Sequence, residues 1–352
     1  IVLAILAGIY TLHWASAVFI PLLLGLMLSY ALTPLVNRLQ RWRLPRALAA
    51  ALLMVGICGG AGALAYSLSD DAVAFVESLP ETAQKLRHAV QRPRLAPPTA
   101  IDKVQKAATE LERAADASAP PSQDKKGVTR VAIERPSFKV SDYLWSGTLG
   151  LVTLAGQGVM VILIAFFLLA SGTTFRRKMV KLAGPTLSDK RVTVQALDEI
   201  SEQIQRYLLV QIFTSAVVGV ATWLAFMWIG LEHAALWGLA AAITNMVPYI
   251  GALIIAVGAA LAAFVQFGAV DMALLVPGVS TVIQSLVDYL LLPWLTSRAS
   301  RLNPVAVFVG VLAWGWLWGL WGLLLGVPIL MAVKTVCDRV DDLKPVGEVL
   351  GS

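Results

Sequence analysis

Charge is what this 352-residue sequence has least of: 14% of its residues are Asp, Glu, Lys or Arg, against about 25% in soluble globular chains. Hydrophobic residues make up 58%, and the mean hydropathy is +0.74. A pair of soluble domains, which the length alone would allow, is therefore excluded, and the chain reads as an integral membrane protein. Two cysteines, Cys58 and Cys337, provide neither a disulfide framework nor ligand spacing. The three histidines, His13, His88 and His233, are too far apart in sequence to suggest a metal site. No G-x-x-x-x-G-K-[ST] loop and no H-E-x-x-H pair occurs, so ATP drive and zinc proteolysis have no sequence support. No cofactor and no enzymatic activity are expected. The net charge of +6 is no sign of nucleic acid, because the basic residues flank apolar runs, where they act as topology signals.

Apolar runs long enough to span a bilayer need about 20 residues. Residues 1–14 read as the remainder of a first span; with no initiator Met ahead of Ile1, a short cytoplasmic segment is expected before it. Residues 17–36 and 47–68 form two further spans. Arg38, Arg41, Arg43 and Arg46 lie between them and mark the cytoplasmic side. Residues 69–145 are then expected to form an extracytoplasmic soluble domain, in the periplasm. Half of the chain's 22 acidic residues fall between Ser69 and Asp142. Two helical patterns, residues 70–91 and 99–117, are broken by proline-rich stretches at 93–98 and 119–124, and residues 128–133 alternate weakly enough that a strand is one reading. No catalytic constellation appears in this insert.

Residues 146–206 hold a returning span and then a cytoplasmic segment. Arg176, Arg177, Lys178, Lys181, Lys190 and Arg191 again mark the inner side. Residues 187–205 place Val194, Leu197, Ile200 and Ile204 at helical spacing, which fits either an amphipathic interfacial helix or a connecting helix packed on the bundle. Residues 207–337 form the proposed transport core, followed by a cytoplasmic tail at 338–352.

In the core, four apolar blocks would leave Arg298 and Arg301 outside if each crossed once, against the charge rule. The conflict disappears if residues 234–267 and 305–336 are re-entrant helical hairpins, broken at Pro248-Tyr249-Ile250-Gly251 and at Gly319-Leu320-Trp321-Gly322. The halves also align at one constant offset, with Leu231 on Leu302, Ala235 on Ala306, Ala242 on Ala313, Gly251 on Gly322 and Leu253 on Leu324. The fold expected is an all-α polytopic membrane bundle with two re-entrant hairpins in an inverted-topology repeat, plus a small extramembrane domain. Inverted repeats with broken helices are typical of secondary transporters, which place the substrate near the midplane.

The run Asn245 to Gly251, the stretch Gln284 to Pro293, Asn303-Pro304, and Ala313-Trp314-Gly315-Trp316 through Gly326-Val327-Pro328 together resemble the autoinducer-2 exporter family of bacterial permeases, also called PerM-like. The resemblance covers essentially the whole chain. It implies a homo-oligomeric inner-membrane transporter, with functions that include export of the quorum-sensing signal autoinducer-2 and, for some members, sodium/proton exchange. Similar members often carry an acidic residue just before the proline matched by Pro293, where this chain has Leu292, and a glycine near the position of Ser297.

The expected substrate or ion pathway comprises Thr244, Asn245, Pro248, Tyr249, Gly251, Gln284 and Asp288. Gly319, Trp321 and Gly322 form the second hairpin tip. Proline removes a backbone donor and glycine allows unusual dihedrals, so freed backbone groups at the tips are available to a ligand or serve the turn alone. Asp288 sits about 15 Å from Arg298 along a helix. An intramembrane carboxylate faces a cavity or a partner, so Asp288 either serves the pathway or makes a structural bond, with Arg298 as one candidate partner. Gln284 either binds a polyol-like solute or bridges helices. Asn303 fits a helix cap ahead of Pro304. The row Gly315, Gly319, Gly322 and Gly326, like Gly56 and Gly60, fits close helix packing. The expected function is export of a small polar solute, with H+ or Na+ as a possible coupling ion. The alternatives are a cation/proton antiporter, or a membrane scaffold acting through residues 69–145.

Overall fold

The computed structural model describes residues 2–75, 140–172, 187–248, 250–296, 302–340 and 343–351. The chain divides into two units, Ile1–Glu77 with Val152–Ser352, and Ser78–Leu151. In the second unit only the first turns of one helix are described, so the insert expected at 69–145, like Tyr249, Ser297, Arg298 and Arg301, lies mostly outside the described residues. The rest of that helix and every other described helix belong to the first unit.

The described residues are helical apart from short turns and one isolated bridge. In chain order the helices are α1 (Val2–Trp14), α2 (Ser16–Gln40), α3 (Arg46–Ser67), α4 (Val140–Ser171), α5 (Leu187–Ile229), α6 (Ala234–Thr244), α7 (Ile250–Phe267) and α8 (Val270–Leu286). A π-helical turn, Val287–Leu291, leads into α9 (Leu292–Thr296). Then come α10 (Pro304–Trp318), α11 (Leu320–Cys337) and α12 (Lys344–Leu350). Six segments are long and apolar enough to cross a bilayer, and α6, α10 and the described part of α4 are shorter apolar helices. The protein is a multi-pass, all-helical membrane protein.

One boundary differs from the sequence reading. Residues 187–205 are not a separate amphipathic helix; they continue into the span at 207 as α5, 43 residues long. At 1.5 Å per residue α5 is about 65 Å, twice a bilayer core. The physical reason is composition: the helix contains no proline and a single glycine, Gly219, so nothing stops propagation where polarity changes. Its lower part packs on the bundle, with Ile204 2% exposed beside Met27 of α2 and Leu317, Trp318 and Leu325 of α10 and α11.

The two long apolar blocks break near their middles, ahead of Pro248 and at Gly319, while Pro328 lies inside α11 without breaking it. Block one becomes α6 and α7, joined through Asn245 to Pro248; block two becomes α10 and α11, joined by Gly319 with φ +60°. The two halves of each block fold back on one another at equivalent glycines. A Cβ on Gly251 would fall within the radius of the Thr244 carbonyl oxygen, and one on Gly322 within that of the Trp314 carbonyl oxygen. Only a hydrogen side chain allows that backbone approach. Asn303 caps α10, its Oδ1 accepting from Val305 N at 2.9 Å, ahead of Pro304 at the first helical position.

Glycine packing holds for part of one row, Gly319 serving the turn with nothing within 4 Å of an added Cβ, and not for the other. Gly315 and Gly326 lie against Leu323 and Val311, as interhelical packing requires, whereas Gly56 and Gly60 have nothing within 4 Å. The expectation of close packing at Gly56 and Gly60 is therefore corrected. α3 buries Ala49, Ala50 and Met54 against α2 and α4 and leaves its later turns uncovered.

Candidate functional site

The turn between α6 and α7 is the polar centre of the core. Backbone bonds tighten it, with Val247 N donating to Thr244 O at 2.9 Å and Gly251 N to Val247 O at 3.2 Å. Pro248 has no N–H to give, which removes one bond that would continue the helix. Asn245 sits at the end of α6, where the last carbonyls of a helix lack intrahelical partners. Gln211 of α5 supplies one, its Nε2 donating to Asn245 O at 2.7 Å.

The Asn245 side chain then ties three helices together. Its Nδ2 donates to Ser215 Oγ on α5 at 3.0 Å, and its Oδ1 accepts from Gln284 Nε2 on α8 at 2.9 Å. Gln284 Nε2 also lies 3.1 Å from both Asp288 oxygens. An amide NH2 carries two hydrogens, so one goes to Asn245 and the other is shared by the carboxylate. The chain of bonds runs Gln211–Asn245–Gln284–Asp288, with Ser215 as a branch. Such a network favours one arrangement of the three helices, and removal of Asn245 leaves Ser215 and Gln284 without the partner it supplies.

Asp288 lies in the π-helical turn Val287–Leu291. A π turn inserts one residue into the helical register, and such turns occur often at functional sites. Val287 of that turn is buried with Val218, Ala241 and Ile255, while Asp288 lies on the exposed side. The carboxylate is thus reached from the cavity through Gln284 rather than by facing it directly.

Beside the network is a cavity of about 10 Å³, lined on its polar side by Thr244, Asn245, Ser280 and Gln284 and on its apolar side by Val218 and Ile255, with Gly251 at its edge. That volume is room for about one water, so the polar groups are closed around each other in this form. Thr244 Oγ1 is turned back to Ala240 O at 2.7 Å.

Of the expected pathway residues, Thr244, Asn245, Gly251 and Gln284 line this cavity, Asp288 is one bond away, and Pro248 forms the adjoining turn; Tyr249 lies outside the described residues. The second tip does not join them. Gly319 and Gly322 shape it, Trp321 is half-buried, and its partners come from α1. There the His13 ring donates from Nδ1 to Leu317 O at 2.9 Å, and Trp318 Nε1 donates to Leu12 O at 3.0 Å. Gln211, Ser215 and Ser280 were missed from sequence. The signal for the first two was present: they are polar residues at i and i+4 on one face of an apolar helix.

Both hairpins engage α5. Phe226 near its C-terminal end packs with Leu231, Ala234, Ala259 and Ala263 at the base of the first hairpin. Nearer its N-terminal end, Thr335 Oγ1, whose hydrogen is shared with Met331 O, lies 3.3 Å from Gln203 Oε1, and Arg339 pairs with Glu199, both at the base of the second. Among the described residues no cluster of three His, Cys, Asp or Glu side chains could hold a metal ion.

A bundle of membrane-length helices with a polar, broken-helix centre defines a polytopic, helical membrane protein. The profile described as "AI-2E family transporter" matches residues 1–342, and the chain belongs to that family. The AI-2 transport protein TqsA of Escherichia coli is 25% identical over 336 residues, covering 95% of this chain and 89% of TqsA. A Borreliella burgdorferi protein, provisionally described as a transport protein, is 29% identical over 194 residues, 55% of this chain; the match spans about half (53%) of that relative. Escherichia coli PerM, provisionally described as a permease, is 30% identical over 194 residues, 55% of this chain and 54% of PerM.

Proposed function

We propose that this protein is a secondary transporter of the bacterial inner membrane that exports a small polar solute, of the class to which autoinducer-2 belongs. The observation that carries the reading is the Asn245 network: a broken helix end whose backbone and side chain are held by Gln211, Ser215 and Gln284 beside a small cavity with one polar side. A solute rich in hydroxyl groups exchanges hydrogen bonds with the same amides and hydroxyls, so the network opens toward solute without stranding buried polar groups. Membership of the AI-2E family and the name of the relative TqsA supply the solute class. In this reading the hairpins enter from opposite faces as an inverted repeat, residues 69–145 are periplasmic, and the C-terminus is cytoplasmic.

Asp288 favours one further reading, cation/proton antiport or ion-coupled export with H+ or Na+, because its carboxylate is wired to Asn245 through Gln284. Its exposed side is best shielded in a bilayer by a second copy of the chain, which makes a homo-oligomer the expected assembly.

The test is flux of autoinducer-2 in liposomes holding the purified protein, with proton or sodium gradients imposed. Asn245→Ala is expected to abolish flux. Asp288→Asn keeps hydrogen bonding but removes the ionisable group, so gradient dependence is expected to vanish. Absence of flux under every gradient, with a cellular phenotype that follows residues 69–145 alone, would instead identify a scaffold. Topology has its own check: single cysteines at Ser122 and Ser297, with Cys58 and Cys337 replaced, are expected to label from opposite faces.

A further inference from the structure

Thr222 of α5 is 1% exposed, and its Oγ1 is the one buried side-chain polar atom without a hydrogen-bond partner among the described residues. A helical threonine ordinarily satisfies its hydroxyl on the carbonyl four residues back. This protein follows the rule elsewhere: Thr33 bonds Ser29 O, Thr244 bonds Ala240 O, Thr281 bonds Pro277 O and Thr335 bonds Met331 O. Thr222 does not, although an apolar surrounding makes the omission costly. An unpaired group in so closed a place is explained if it finds its partner in another state of the protein.

Its position says which partner. Ser215, which holds Asn245, and Val218, which lines the cavity, share a face of α5 with Thr222 at helical spacing. One turn further, Phe226 is fully buried with Ala259, Ala263 and Val276 of the helices opposite. Along α5 the order is therefore network, cavity, unpaired hydroxyl, aromatic plug.

We propose that solute leaves the Asn245 cavity along this face of α5, that the Thr222 hydroxyl is the next hydrogen-bonding position it meets, and that Phe226 is the gate closing the path in the present form. The site takes a small solute with hydroxyl or carbonyl groups, since it offers one neutral donor and acceptor between apolar walls. The proposal rests on the transporter reading of the cavity.

The experiment reads the path without needing the solute. In the full chain with Cys58 and Cys337 replaced, Thr222→Cys is exposed to 2-(trimethylammonium)ethyl methanethiosulfonate on both faces of membrane vesicles, alone and with Phe226→Leu. Modification is expected to be slow in the first and faster by about tenfold or more in the second, because the milder plug opens more often. Ala165→Cys, buried among α2, α3 and α4, is the control and is expected to stay unreactive in both backgrounds. An unchanged rate at position 222, or equal acceleration at position 165, overturns the gate. In liposomes, Thr222→Val is expected to lower autoinducer-2 flux about tenfold, as loss of one hydrogen bond would, with a melting temperature equal to or above the parent's, while Thr222→Ser retains flux. Native flux in Thr222→Val overturns the role of the hydroxyl. If the parent protein moves no autoinducer-2, the solute assignment fails and the labelling result still decides the path.

Discussion

The two hairpins of the core share a skeleton and differ in what surrounds their tips. In both, a glycine that follows the break presses against a carbonyl at the end of the preceding helix, Gly251 on Thr244 and Gly322 on Trp314. At the first tip that geometry leads to Asn245 and a network joining α5 and α8. At the second, the same geometry is sealed by His13 of α1 bonding Leu317 of α10, by Trp318 bonding Leu12 of α1, and by Trp314 tilted at 50° to Trp318 with ring centres 4.8 Å apart. The difference teaches that the close helix approach is the structural invariant, and that polarity at the tip is an addition made to one hairpin only.

The largest expected effect tests the shared part. Gly251→Ala and Gly322→Ala each force a Cβ into a backbone carbonyl, which cannot yield as a side-chain end would, and each is expected to destabilise by about 3 kcal/mol. Melting in detergent checks it, and a native melting temperature for either variant would break the equivalence of the tips. Asn245→Ala comes next: it strands Ser215 and Gln284 and is expected to cost about 1–3 kcal/mol and to abolish flux. His13→Ala, its counterpart at the second tip, removes one hydrogen bond worth about 0.5–1.5 kcal/mol and is expected to leave flux in place. Lost flux in the His13 variant would show the second tip to be as functional as the first.

Smaller effects sharpen the contrast between the turns themselves. Gly319 holds φ +60° and ψ −138°, a region almost closed to other residues, so Gly319→Ala is expected to cost about 1–3 kcal/mol although nothing lies within 4 Å of the added carbon. Pro248→Ala frees the unfolded chain and is expected to cost only about 0.4–1 kcal/mol. Equal melting temperatures for these two variants would mean that the single-residue turn carries no special strain.

Much of this architecture was legible in the sequence, for reasons that differ by element. The breaks at Pro248 and Gly319 were visible because each falls near the middle of a long apolar block with a second glycine close behind, Gly251 and Gly322. The match of Gly251 with Gly322 was visible as a constant offset, and its meaning, two tight carbonyl contacts, is purely geometric. The continuity of α5 was hidden because polarity changes near residue 206 while helical propensity does not. Gln211 and Ser215 escaped notice because an isolated polar residue in a span carries no sign of which neighbour it will meet. Gly56 and Gly60 misled for the same reason: small residues permit an approach without ensuring that another helix makes it.

The 43-residue length of α5 has a mechanical consequence. Ile204, beside the second tip, and Gln211, which holds the first, are seven positions apart on one continuous helix, a separation of about 10 Å. A rod without a hinge between two grips cannot relax at one and stay still at the other. A tilt that draws Gln211 away from Asn245 must also displace Ile204 against Leu317 and Trp318. The helix works as a lever shared by two clamps, and the stiffness of that short stretch sets how closely the release of one clamp follows the shift of the other.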